Sequence, residues 1–255
     1  MAKVCQYRSF FSDKPEFEYL CPTCKAGFLI PDQSTFKNIE PIFSKKAHSH
    51  EAWDPDWITS RFSVTCVCAS RDCGEIAFVS GTGTADQRYD NEGRLEYYDH
   101  FTIKSFFPSP HFCDIPNMAP PAVVEHLERS FSLYWVDVSA AANALRASLE
   151  ALLDSLKIPD HKKSSNGKTE FIPLHKRLEL WSASNNDYAE LCFALKEVGN
   201  LGSHGQGVRE QHYFGSLEIY SHVLMNLFEN SAEKMKKLSQ SIRDDIKANK
   251  SKDSR

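Results

Sequence analysis

The sequence predicts an α+β chain in two parts: a small β-rich, zinc-ribbon-like N-terminal module followed by an all-α helical bundle. Three observations predict it. Five of the eight cysteines fall between residues 21 and 73, four of them as Cys21-Pro22-Thr23-Cys24 and a Cys68…Cys73 pair. Pro108, Pro110, Pro116, Pro120 and Pro121 then crowd into one short stretch. Each proline removes an amide donor and disfavours a helical residue before it. Beyond Pro121 the apolar spacing changes from near-alternation to threes and fours. The expected parts are a zinc-binding module over 1–110, a bundle over 115–240 and a charged tail over 241–255.

Composition bounds the function. The chain has 255 residues, 41% hydrophobic and 25% charged, with a net charge of −4. Such a balance gives no overall pull toward nucleic acid or anionic lipid. No stretch approaches the ~20 apolar residues of a membrane helix, and the first residues lack a secretory core. A cytoplasmic protein without a membrane partner is expected. Disulfides are disfavoured in that compartment, so the cysteine cluster needs another purpose.

In the first part, Glu18–Leu20, Arg61–Thr65 and Ile76–Ser80 read as short strands. Gly81-Thr82-Gly83-Thr84 and Asp90-Asn91-Glu92-Gly93 read as turns. Arg94–Tyr98 and Phe101–Lys104 add further strands, and residues 31–60 read as an irregular excursion. In the second part, helices are expected near 121–135, 137–157, 173–183 and 187–198, with a long last one from Arg209 or Glu210. The second carries Val138, Ala141, Ala142, Leu145, Leu149, Leu152, Leu153 and Leu156 on one stripe. Residues 158–170 read as a mobile loop. The tail from Ala232 holds eight Lys/Arg against four Asp/Glu and reads as a solvated, fraying end.

Cys21, Cys24, Cys68 and Cys73 form two turns that each offer two thiolates on one side. Strand-like sequence between them can bring the turns together around one tetrahedral zinc. Four thiolates close the shell, so the expected zinc is structural and leaves no place for a catalytic water. Four buried thiols are the plainer reading, and a redox Cys-x-x-Cys would need a helix start that is not visible here. Cys66 competes with Cys68 as a ligand but shares parity with Phe62 and Val64. His48 and His50 are weaker candidates within the irregular excursion.

The second candidate site is Gly199-Asn200-Leu201-Gly202-Ser203-His204-Gly205. Asn200 and His204 stand four apart at a helix end. A histidine there can move protons near neutral pH, or simply hold a structural corner. On the 137–157 helix a polar stripe runs through Asn143, Arg146, Glu150 and Asp154. Arg146 and Glu150 can pair at i,i+4 as a solvated flank, or face the corner and assist His204.

Ala141–Glu150, Leu174–Leu178 and Val198–His204 together resemble an uncharacterised bacterial family found in restriction and prophage contexts. That family is similar to the HEPN superfamily, and the resemblance covers roughly residues 115–230. It implies a HEPN-like helical bundle, often a homodimer, whose active members are metal-independent RNases. Their motif places an arginine four to six residues before a histidine, often with a polar residue after the arginine. Here His204 matches the histidine and Asn200 the polar residue, but Gly199 stands at the arginine position. Cleavage through a 2′-hydroxyl needs a proton carrier and a cation for the charged phosphorane, and only the first is local. The expected function is therefore a nucleic-acid-associated accessory or defence-type protein that binds RNA or DNA without cleaving it. One alternative is an RNase using His204 with Arg146 and Glu150 as helpers. The other is a protein-interaction or dimerisation module built on the last helix.

Overall fold

Fourteen- and thirteen-residue strands dominate the N-terminal half of the computed structural model, which describes residues 8–90, 92–164, 166–183, 187–203, 207–229 and 239–243. The strands are β1 (Phe10–Ser12), β2 (Tyr19–Leu20), β3 (Phe28–Pro31) and β4 (Lys37–Ile39). After α1 (Ile42–Ala47) come β5 (Thr59–Cys68), β6 (Ile76–Tyr89) and β7 (Leu95–Phe107). All seven join one antiparallel sheet in the order β1-β7-β6-β5-β3-β2, with β4 alongside β5. The sheet curls into a half-barrel over residues 10–107.

This corrects the expectation of a small zinc-ribbon-like module. The misreading starts at Gly81 and Gly83, which do not turn the chain but lie inside β6. A Cβ at Gly81 would come within 2.7 Å of the Phe62 ring, and one at Gly83 within 2.7 Å of the Phe101 ring. The glycines make room for an aromatic core in which Phe101 stacks on Phe11 at 5.0 Å and meets Phe62 and Phe36 edge-on at 5.4 Å each. Aromatic pairs of this geometry add about 0.5–1.5 kcal/mol each beyond burial. A bulge between Ser80 and Gly81 shifts the register, so Phe106 as well as Phe101 and Ile103 reaches the inner face. The excursion over 31–60 also has structure: it holds β4, α1 and two short 3-10 turns.

The helical half begins where Pro121 occupies a first helical position. Its helices are α2 (Pro121–Tyr134) and α3 (Val138–Ser155), followed by a small hairpin of β8 (His161–Lys163) and β9 (Thr169–Phe171). The expected loop over 158–170 thus contains a paired hairpin. Then come α4 (Leu174–Ser182), α5 (Asp187–Ser203) and α6 (Glu210–Phe228). Asp137 caps α3, its carboxylate accepting from the amides of Ser139 at 2.7 Å and Ala140 at 3.3 Å.

Two tyrosines seven residues apart bind α6 to this framework. Ser130 of α2 donates to the Ala141 carbonyl at 2.8 Å, and its oxygen meets the Tyr213 hydroxyl at 2.9 Å. Ser148 of α3 donates to the Val123 carbonyl at 2.8 Å and meets the Tyr220 hydroxyl at 3.0 Å. Each serine's proton is spent on a carbonyl, so each tyrosine is the donor. Both tyrosines are fully buried, and burial holds their phenols protonated.

The two halves share a core. Trp135 stacks on Phe106 at 5.2 Å and on Tyr19 at 5.8 Å, and its indole donates to Ser109 Oγ at 3.0 Å. Phe112, between the halves in sequence, packs against Tyr134 at 4.8 Å and Phe131 at 5.4 Å. Among the described residues no helix is long and apolar enough to cross a membrane.

Candidate functional site

The four cysteines meet at one end of the sheet. Pairing of Leu29 with Cys68 sets β3 against β5, and pairing of Tyr19 with Leu29 brings in β2. Cys21 follows β2 and Cys68 ends β5, so the sheet register itself carries the two turns together. In the first turn the Lys25 amide bonds the Cys21 carbonyl at 3.0 Å. In the second the Cys73 amide bonds Ser70 O at 3.1 Å, and Gly74 takes a φ of +63°.

Cys21 Sγ lies 3.8 Å from Cys73 Sγ, and Cys24 Sγ lies 3.7 Å from Cys68 Sγ. All four sulfurs lie within 4.8 Å of one another. Zinc–sulfur bonds of about 2.3 Å in a tetrahedron place sulfurs about 3.8 Å apart. The spacing fits four thiolates around a metal ion such as zinc, and it is far too long for a disulfide. The amide of Gly27 points at Cys24 Sγ at 3.3 Å. The amides of Ala26 and Gly27 hold the Cys24 thiol down at about 6, whereas burial raises Cys21 and pushes Cys68 up to about 12, so thiolates at all four positions need the charge of a bound cation.

Gly27 is a member of this site that spacing alone did not reveal. A Cβ there would lie 2.6 Å from Cys68 Sγ and 2.8 Å from Ser70 Cβ. Cys66 stays out of the cluster. It is fully buried in the sheet core, opposite Ala77, and desolvation pushes its thiol up to about 12. His48 instead contacts Glu40 at 2.8 Å and packs on Trp53, while His50 packs on Trp57.

The helical candidates divide. Asn200 does not stand on a turn: α5 continues through Gly199 to Ser203. This places Asn200 Oδ1 2.5 Å from Arg146 Nη1 on α3, while Arg146 Nε contacts Glu150 Oε1 at 3.2 Å. Gly199 makes that arrangement sterically available. A Cβ on it would lie 2.7 Å from Arg146 Cβ and 2.9 Å from Cδ. The missing side chain at 199 is therefore the notch that receives the arginine of α3. Ser203 Oγ reaches Asn143 Oδ1 at 2.8 Å and the Gly199 carbonyl at 3.0 Å. His204 follows directly in sequence and lies outside the described residues.

Asp154, grouped by sequence with Arg146 and Glu150, serves elsewhere. It accepts from Arg177 Nη2 at 2.6 Å, which also bonds Ile158 O at 2.8 Å and ties α4 to the end of α3. In its place the structure adds His126 and Arg129 from α2. With Asn143, Arg146, Ala147 and Glu150 they line an open groove of about 490 Å³ between α2 and α3. The signal for them was an exposed polar spacing of three on α2, which sequence reading passed over. The groove can offer guanidinium and imidazole donors to an anion or a polar polymer.

Residues 9–112 match the model of a family described as a domain of unknown function (DUF8608). Residues 128–245 match a second, also described as a domain of unknown function (DUF4145). No curated protein and no solved structure matches the chain.

Proposed function

We propose that this chain is a nucleic-acid-associated protein whose α2–α3 groove binds RNA or DNA through its phosphates without cleaving it, with a structural zinc on the four cysteines. The observation that carries the groove reading is Arg146, which lines the groove, is fixed by Asn200 and Glu150, and is joined there by Arg129 and His126. An arginine fixed by neighbours has lost its rotamer freedom before any ligand arrives, which lowers the cost of binding. The resemblance of this half to HEPN-like bundles supports the same reading. The acidic net charge confines binding to the groove, so affinity should fall with salt by only a few counterions' worth.

The test is fluorescence anisotropy with RNA and DNA oligomers over a salt series. Binding at low salt is expected, weakened about tenfold or more by Arg129→Glu. Absence of binding to either polymer at low salt would sink the reading. Zinc is tested separately: elemental analysis should give one zinc per chain, abolished in Cys21→Ser.

A second reading, metal-independent RNA cleavage, is favoured by one observation. Arg146 supplies a guanidinium beside Asn200, where the nuclease motif needs one and Gly199 lacks it. In that mechanism His204 moves the proton of the 2′-hydroxyl while Arg146 stabilises the phosphorane. Cleavage of RNA in chelator, lost in His204→Ala and in Arg146→Ala, is the expected result. Equal inactivity of parent and variants on varied RNAs would remove it.

A further inference from the structure

The outer face of the sheet carries a second feature. Along β3, β5, β6 and β7, alternation sends Leu29, Cys66, Ala77 and Phe106 inward and their neighbours outward. Near the cysteine end the outward residues are Phe28, Ile30, Val67, Ile76, Phe78 and Phe107. They form cross-strand rows: Ile30 opposes Val67, Val67 opposes Ile76, and Phe78 opposes Phe107. All six are 40–70% exposed. One row further along the sheet the face turns polar, with Ser63 opposite Ser80 and Ser80 opposite Ser105.

Taking about 200 Å² for each large side chain, their exposed fractions amount to roughly 600 Å² of contiguous apolar surface. That equals the top of the range for a monomer's largest patch, about 300–600 Å². It also supplies most of the ~800 Å² that each partner gives to a stable interface. The patch has no charge within it, so it does not select a strongly acidic or basic partner. Its flanks carry opposite signs: exposed Glu18 precedes β2 on one side, and exposed Lys104 sits at the β7 bulge on the other.

We infer that this face is a homodimer interface, in which two copies pack sheet on sheet about a two-fold axis in the interface plane, diagonal to the strands. The register puts Phe28 and Phe107 at opposite corners of the patch, and a diagonal axis exchanges those corners. The two sheets then cross at near right angles, about 10 Å apart with interdigitating side chains. Phe28 meets the partner's Phe107 and Ile30 the partner's Phe78, and each Glu18 flank faces a Lys104 flank. An isologous contact of this kind satisfies itself and leaves no second patch exposed. The surface is separate from the α2–α3 groove and does not depend on the groove's function.

Analytical ultracentrifugation of the zinc-loaded full chain up to about 100 μM tests it. A dimer is expected, with Kd raised at least about tenfold in the double variant Phe78→Glu/Phe107→Glu. Both side chains are more than half exposed, so far-UV circular dichroism and melting should not change. If that variant proves poorly folded, Ile30→Lys serves in its place. Glu18→Lys should weaken the dimer, and adding Lys104→Glu should restore it. A chain monomeric at every concentration overturns the proposal, as does a dimer indifferent to the sheet-face variants. Loss of the dimer on Arg129→Glu instead would place the contact on the helices and overturn it too. Failure of the charge reversal to restore association would overturn the two-fold arrangement.

Discussion

Replacing Gly199 with alanine adds one methyl group at the closest approach of α3 and α5. That methyl would stand 2.7 Å from Arg146 Cβ, 2.9 Å from Cδ and 3.2 Å from Cγ. The outer carbons can swing away, but Cβ is fixed to the backbone of α3. Either the helices separate locally or Arg146 leaves Asn200 and Glu150. Overpacking of this kind costs about 1–3 kcal/mol. Alanine returns up to ~1 kcal/mol of helix propensity over glycine. The Arg146–Glu150 pair is partly exposed, so its loss adds only a few tenths. The net expectation is a destabilisation of about 1–2 kcal/mol, or roughly 2–8 °C in Tm for a chain of this size. Urea unfolding of parent, Gly199→Ala, Arg146→Ala and the double variant measures it as a cycle. Arg146→Ala removes Cγ and Cδ but keeps Cβ, so the double variant should recover part of the loss, with a coupling of at least about 0.5 kcal/mol. A Gly199→Ala protein more stable than the parent would show helix propensity winning, and would refute the notch as the seat of Arg146.

Three more expectations follow from other parts of the fold. With zinc on the four cysteines as proposed, chelation should lower stability by about 4 kcal/mol relative to free zinc at a thousandfold over its Kd; an unchanged Tm would mean that the cysteine end is organised without metal. Ser148→Ala should cost about 1–3 kcal/mol, because it strands the buried Tyr220 hydroxyl, whereas Tyr220→Phe should cost about 1 kcal/mol since Ser148 keeps its bond to Val123 O. The reverse order in denaturant melts would show that Tyr220 is not the donor. Burial, helped by Lys25, holds the His111 imidazole down at about 4, below the ordinary ~6.5. The unfolded chain therefore binds the extra proton first, and stability should fall as pH drops from about 6.5 toward 4. Glu128, 3.4 Å from Nε2, pulls the other way, but it is half exposed and screened. His111→Gln should flatten that limb of a Tm-versus-pH curve, and an unchanged slope would remove His111 as its source.

The helical half was legible because amphipathic spacing marks a helix wherever one face is buried. The heptad of Tyr213 and Tyr220 and the leucine stripe of α3 follow that rule. The end of α5 was not legible, since glycines at 199 and 202 carry the signature of a turn. Only the neighbour that fills the space, Arg146, distinguishes a notch from a bend. The same ambiguity hid the long β6, where Gly81 and Gly83 yield to aromatic rings from across the sheet. Cys66 and Cys68 share one strand parity, so alternation could not separate them. Their surroundings do: the two turns reach Cys68, while Cys66 lies one pleat deeper against Ala77. Arg129 and His126 were missed because a lone exposed charge on a helix says nothing about the groove across from it.

Trp135 and Phe112 carry a consequence for how this chain can be divided. The two family matches leave a gap from 113 to 127, which invites treating each segment as an independent unit. Phe112 ends the first match, yet its ring fills the space between Phe131, Tyr134 and Phe214. Trp135 belongs to the second match but roofs Tyr19 and Phe106 of the sheet. Cutting within the gap would leave each piece with an uncovered aromatic surface and a hole where its neighbour's ring had been. Cavities left by such large side chains typically cost about 3–5 kcal/mol, a large part of a domain's whole stability. The pieces should therefore be sticky and poorly folded apart, and soluble together.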